Sequence, residues 1–318
     1  MEPYSRRDFI KKAALATGFV SNLGFSSSVF SPINYNAVKP LEVSIFSKHL
    51  QFLDYETLGA KAHEMGFSGV DLTVRPGGHV EPSNLKVDLP LAIKGIINGG
   101  SKCNMITTQI ESVERRLDLN ILQEASRQGI KYYRTNWFNY DYELGMVETL
   151  KKYNGQLLDL ARINKSLGLV GCYQNHAGTK IGASFWEVYQ LLENIDSSYF
   201  GVQFDIRHAT VEGFNSWKNA FELLKSKVRT MVLKDFKWVE INGKWQIMNV
   251  PLGKGVVDFK SFFKLLKKYD LRPPVSLHVE YDLGGAEKGK REISINEELV
   301  YQAMKTDLKT LQTLWEKA

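Results

Sequence analysis

From residue 41 onward, short apolar runs suited to buried strands alternate eight times with longer stretches patterned at helical spacing. The strand-like runs cover 42–47, 69–74, 104–110, 131–138, 169–175, 200–206, 229–236 and 274–281. The helix-like stretches cover 55–65, 89–97, 117–128, 146–167, 185–195, 217–224, 259–268 and 297–316. Gly66, Gly129 and Gly168 stand where three of the helices must stop and hand over to the next strand. Eight such units in 318 residues predict a single (β/α)8 TIM barrel over residues 40–318, in which each helix covers a strand and the closed ring leaves no edge. The competing arrangement is an open, doubly wound sheet. It usually carries a phosphate-binding glycine loop after its first strand, and Ser47-Lys-His-Leu-Gln-Phe52 has no glycine. Asn242-Gly243, between two β-prone runs, predicts a small hairpin inserted after strand seven.

Residues 1–39 follow a different pattern. Ser5-Arg-Arg-Asp-Phe-Ile-Lys-Lys12 precedes a mildly apolar stretch, 13–25, and then Ser26-Ser-Ser28. Paired arginines and a following Phe before a short hydrophobic segment resemble a twin-arginine export signal. That implies the twin-arginine export machinery as a partner and a periplasmic or otherwise exported destination; the bland alternative is a basic amphipathic helix. Gly18, Asn22 and Gly24 interrupt the segment, which is too short for a bilayer span of about 20 residues, so no stable membrane span is expected after processing. Of the net charge of +6, residues 1–30 hold +2 and the remainder is interspersed with acids. No concentrated basic stripe supports a nucleic-acid partner. Cys103 and Cys172 do not make a disulfide framework and read as buried thiols. A homo-oligomer stays open.

The chemistry gathers where the strands end. Phe200-Gly-Val-Gln-Phe-Asp-Ile-Arg-His-Ala-Thr210 begins as an alternating strand and finishes with Asp205 and His208, a carboxylate and an imidazole placed for a catalytic or metal-binding rim. A solvated turn with a capping Asp is the plainer alternative. Five of the six histidines, His49, His79, His176, His208 and His278, fall at or just past strand ends; His63 lies in a helix. Arg75-Pro-Gly-Gly-His79 follows strand two, behind Asp71. Thr107 and Gln109 belong to strand three, Arg134 and Asn136 to strand four, Gln174-Asn175-His176 to strand five, Lys234-Asp235 to strand seven and His278-Val-Glu280 to strand eight. Trp137 and Phe138 offer a flat apolar surface for a sugar ring. In a barrel all these ends share one face, and polar groups of this density in strands are costly unless paired or used. They predict a pocket for a polar small molecule, with Arg75, His79, Arg134, Asn136, Trp137 and His278 binding it.

Gly66-Phe-Ser-Gly-Val-Asp71, Tyr173-Gln-Asn-His176, Phe204-Asp-Ile-Arg-His208, Leu233-Lys-Asp-Phe236, Val250-Pro-Leu-Gly-Lys-Gly255 and Glu280 together resemble the xylose isomerase-like TIM barrels, often labelled sugar phosphate isomerase/epimerase. The resemblance covers about residues 41–314. It implies a divalent metal, Mn²⁺ or Mg²⁺, held by an acid on strand five, an Asp on strand six, a His on strand seven and a Glu on strand eight. Strands six and eight supply Asp205 and Glu280. The other positions depart from the pattern: strand five has Gln174, which offers only a carbonyl oxygen, and strand seven has Val232, which offers nothing. With Gln174 in place of one base, the resemblance implies a one-base route. Glu280, His176 or His208 takes a proton alpha to a carbonyl, and Lys234, Arg134 or the metal steadies the enediolate. The expectation is an exported sugar isomerase or epimerase acting on a free sugar, a keto-sugar glycoside or a sugar acid. The alternatives are a lyase or hydrolase on keto-sugar glycosides, or a non-catalytic carbohydrate-binding barrel.

Overall fold

The structure, a computed structural model, describes residues 39–318, so Arg6, Arg7 and the rest of the expected export signal lie outside the described residues. The strands are β1 (Val43–Phe46), β2 (Gly69–Val74), β3 (Met105–Thr108), β4 (Tyr132–Arg134), β5 (Val170–Gln174), β6 (Phe200–Asp205), β7 (Val228–Leu233), β8 (Asp235–Ile241), β9 (Lys244–Val250) and β10 (Val275–Leu277). Eight of them close a barrel in the order β1-β10-β7-β6-β5-β4-β3-β2, every pair parallel. β8 and β9 pair only with each other, antiparallel. They are the hairpin expected after the seventh barrel strand, and Asn242 and Gly243 both take positive φ, 54° and 73°, as a two-residue turn of matching twist requires.

The helices are α1 (Tyr55–Met65), α2 (Leu85–Asn98), α3 (Arg116–Arg127), α4 (Met146–Leu167), α5 (Phe185–Leu191), α6 (Ile206–Gly213), α7 (Trp217–Leu224), α8 (Phe259–Lys268) and α9 (Glu297–Lys317). Helix α1 shows how the sequence sets its limits: Asp54 accepts a hydrogen bond from Thr57 N at the start, and Gly66 ends it at φ 92°. Outward-facing strand residues pack under the helices. Phe204 of β6 stacks with Phe185 and Phe262 and meets the edge of Phe221, with centroids 5.5–5.7 Å apart. Truncating such a fully buried phenylalanine to alanine costs about 3–5 kcal/mol. Cys103 and Cys172 are buried free thiols, their pKa pushed up to about 12 by burial.

The inward face of the ring is polar. Asp71 of β2 accepts hydrogen bonds from Thr107 of β3 and from Ser276 of β10, which closes the lumen with paired groups instead of apolar ones. Several expectations on element limits need correction, among them the eighth barrel strand, which ends at Leu277 and not at residue 281. Strand four is only Tyr132–Arg134, because the chain bends after Arg134 so that Asn136 N donates to Ile110 O. After strand six the chain goes directly into α6, where an extended end followed by a loop was expected. Asp205 caps that helix by accepting a hydrogen bond from His208 N at 3.0 Å. Asp205 is a cap, but a fully buried one at the start of a helix and not part of a solvated turn.

Candidate active site

At the carboxyl ends of the barrel strands lies a cavity of about 320 Å³, lined by Phe46, Lys48, Arg75, Arg134, Trp137, Gln174, His176, Arg207, His208, Lys234, His278 and Glu280. A larger cavity, about 430 Å³, sits on the outer wall between α5 and α7, near Trp186, Glu212 and Leu223. The mouth is the stronger candidate because the ionisable groups converge there and not on the wall.

Lys234, the first residue after β7, is the centre of the cluster. Its Nζ lies 3.2 Å from Glu280 Oε2, 3.4 Å from Asp205 Oδ2 and 3.1 Å from His208 Nε2. Asp205 is fully buried beneath it and also accepts a 2.9 Å hydrogen bond from Gln174 Nε2. Burial pushes the Glu280 carboxyl up, but Lys234 and His278 overcome this and hold it well below the usual carboxylate range. His278 links downward to Ser276 through Nε2, at 3.1 Å, and faces Glu280 Oε1 through Nδ1, at 3.4 Å. Its ring stacks on Phe46 with centroids 4.1 Å apart, and burial drives its pKa down to about 4.

The two histidines on the opposite flank differ. His208 Nδ1 accepts from Ala177 N and lies 3.0 Å from the Arg207 guanidinium. Nε2 lies 3.6 Å from Asp205 Oδ2 and 3.1 Å from Lys234 Nζ. His176 donates its Nδ1 proton to Ala177 O at 2.8 Å, which leaves the lone pair of Nε2 free in the mouth. Burial, then the charge of Lys234, keep His176 below the ordinary histidine pKa, hence neutral at pH 7.

Nine of the residues singled out by sequence line the mouth: Arg75, Arg134, Trp137, Gln174, His176, His208, Lys234, His278 and Glu280. Asp205 lies beneath the lining, and two of the expected binding residues do not reach the mouth. The loop after β2 doubles back, with Gly77 at φ 70° and Val80 N bonded to Thr73 O, so His79 is buried behind the strand beside Tyr55, where burial lowers its pKa to about 4. Asn136 lies past the end of β4 and donates to Glu111 at 2.5 Å. Trp137 is a lining residue, but the Arg134 guanidinium covers its ring at 4.1 Å and His176 crowds it at 4.5 Å, so much of the flat surface expected for a sugar is taken. His49 is structural, its Nε2 accepting from Val279 N. Asp235 organises the loop after the hairpin through the backbone N–H groups of Gly253, Gly255 and Val257; a Cβ on Gly255 would lie 2.1 Å from Phe236 O. Lys48 and Arg207 line the mouth but were not expected there. Arg207 sits inside Phe-Asp-Ile-Arg-His, and Lys48 directly after strand one, which was a sufficient positional signal.

The expected metal set does not fit. Asp205 and Glu280 converge on the Lys234 ammonium, Gln174 turns an N–H donor toward Asp205, and Val232, the register partner of Asp205, is apolar. The spacing of 3.2–3.4 Å suits N–H···O contacts. A divalent ion of the Mg²⁺ class would need oxygens at about 2.0–2.1 Å. Among the described residues, no group of three or more His, Cys, Asp or Glu side chains is placed to hold a metal.

A closed parallel barrel with its ionisable groups gathered over the carboxyl ends of the strands defines a (β/α)8 barrel with a small-molecule mouth. The chain belongs to the xylose isomerase-like TIM barrel family, whose model matches residues 119–301. It is 29% identical over 180 residues to a Haemophilus influenzae protein provisionally assigned as L-ribulose-5-phosphate 3-epimerase, a match spanning 54% of this chain and 58% of that relative. Among solved structures, 3-keto-D-glucoside 4-epimerase YcjR from E. coli superposes with a TM-score of 0.60 at 16% identity, over 86% of this chain and 99% of that one. A xylose isomerase-like barrel from Mycobacterium smegmatis in complex with magnesium gives 0.58 at 12% identity, over 84% and 98%. Likenesses at these identities extend to the fold.

Proposed function

We propose that this protein is a sugar isomerase or epimerase that moves a proton alpha to a carbonyl. The observation that carries the reading is the Lys234 ammonium held 3.2 Å from the ionised Glu280 at the floor of the mouth. A carbonyl oxygen docked on Lys234 draws that ammonium away from Glu280, which makes the carboxylate a stronger base as the substrate binds. Glu280 then takes the alpha proton, the C–H electrons pass into the new C=C, and the carbonyl electrons settle on the oxygen facing Lys234. His176 stands three strands round the ring from Glu280, its free Nε2 able to relay a proton on the other flank. This pair replaces the symmetric two-carboxylate arrangement that Gln174 disallows. The family, and the epimerases of H. influenzae and E. coli that the chain resembles, support a sugar substrate.

The paired arginines of the leader support export to the periplasm, with keto-sugars or sugar acids as the proposed substrates. The test is incubation of the purified chain in D₂O with free and 3-keto sugars, followed by NMR and mass spectrometry. The expected result is deuterium at the alpha carbon and a product of unchanged composition, both lost in Glu280→Gln. Release of an aglycone instead would make the enzyme a lyase. Binding without exchange would leave a carbohydrate-binding barrel.

A further inference from the structure

Among the described residues, cations outnumber carboxylates at the mouth, and on one flank Glu280 and Asp71 act on them only through space. Five cationic side chains line the cavity, Lys48, Arg75, Arg134, Arg207 and Lys234, against one lining carboxylate, Glu280. Lys234 has Glu280 and Asp205. Among the described residues, Lys48, Arg75 and Arg134 have no carboxylate at ion-pair distance. Arg134 is only 3% exposed, its Nη1 has no partner, and its Nη2 reaches Thr108 O at 3.4 Å. Asp71 is near enough to act on both arginines through space, but its oxygens take the hydrogen bonds of Thr107 and Ser276.

A buried cation without a counter-charge costs several kcal/mol and persists where something else supplies the charge. The geometry suits a planar anion. Arg75 packs over Phe46 at 5.7 Å and Arg134 over Trp137 at 4.1 Å, and a guanidinium plane held on an aromatic face, as that of half-buried Arg75 is, has its N–H edge left for bidentate contact. We infer that Lys48, Arg75 and Arg134 form an oxyanion subsite, so that the substrate is a sugar carrying a carboxylate or phosphate group. This rests on the mouth being a sugar site, as proposed above, and specifies the substrate class.

Isothermal titration of the purified protein at low ionic strength with D-glucuronate, D-glucose 6-phosphate and D-glucose tests it. At least one of the two anions binds about tenfold or more tightly than glucose, as expected for charge-assisted pairs, and the advantage shrinks with added salt. Which anion binds separates the carboxylate from the phosphate source. Arg75→Gln and Lys48→Gln, both less buried than Arg134, each reduce the preference. Equal or tighter binding of glucose, a preference that survives both substitutions, or no binding of either anion at millimolar concentration would overturn the inference. Deuterium exchange is read separately: anion binding without exchange removes the isomerase chemistry and leaves the subsite standing.

Discussion

The two flanks of the barrel mouth handle charge in opposite ways. On the β6, β7 and β10 side, Lys234 is enclosed by Asp205, Glu280 and His208, and Asp205 is further bound by Gln174 and the amide of His208. On the β1, β2 and β4 side, Lys48, Arg75 and Arg134 line the cavity, the two arginines against the rings of Phe46 and Trp137, and among the described residues no acid is at ion-pair distance from the three. The first flank is complete in the free protein; the second becomes complete only when a ligand supplies negative charge. Substitutions should therefore cost stability or chemistry on the first, and ligand affinity alone on the second.

The largest effect is expected from Glu280→Gln, which removes the proposed base and should slow solvent-deuterium exchange by about 10²–10⁴-fold, read by NMR. Lys234→Ala should slow it by about 10²–10³-fold. The same substitution leaves Asp205 and Glu280 without the ammonium between them, so Mn²⁺ affinity, followed by electron paramagnetic resonance, should rise above that of the unmodified protein. Equal affinity in the two forms would break the view of Lys234 as the resident cation. Asp205→Asn leaves Lys234 buried with one carboxylate and should destabilise the fold by about 3 kcal/mol, measured by denaturant unfolding.

His176 acts as a base only when neutral, and its pKa is lowered by burial and by Lys234. The acid limb of kcat/KM should therefore lie below the ordinary histidine value, with rate falling about tenfold per unit as pH drops through it. In Lys234→Ala the limb should move upward, since one of the causes that lower it is gone. The smallest effect belongs to the other flank. Arg75→Gln removes one uncompensated cation and should raise the stability of the ligand-free protein by at most about 1 kcal/mol. A loss of stability there would erase the contrast between the flanks.

The ring itself was legible because period-two and period-3.6 patterns report local burial, and each unit repeats them independently. The same parity placed Gln174 and Asp205 on the inner face of their strands, while Lys234, His278 and Glu280 reach the mouth from just past the ends of β7 and β10. It failed where the strand had already ended. Asn136 shares a sequence parity with Arg134, yet two residues beyond β4 the chain has bent and parity no longer fixes a direction. His79 failed for a related reason, since a loop that doubles back through Gly77 reverses which side its last residues face. Helix α6 was read as loop because a single turn's worth of signal after Asp205 was masked by the strand pattern before it.

The sequence alone determined the closed barrel, its hairpin and the set of strands whose ends carry ionisable groups, since all three follow from alternation and turn chemistry along the chain. Only the tertiary structure decided that Lys234 stands between Asp205 and Glu280 while Lys48, Arg75 and Arg134 stand without acids. Charge compensation is a matter of distance across the ring, and side chains as far apart in sequence as Lys48 and Glu280 become neighbours only when that ring closes.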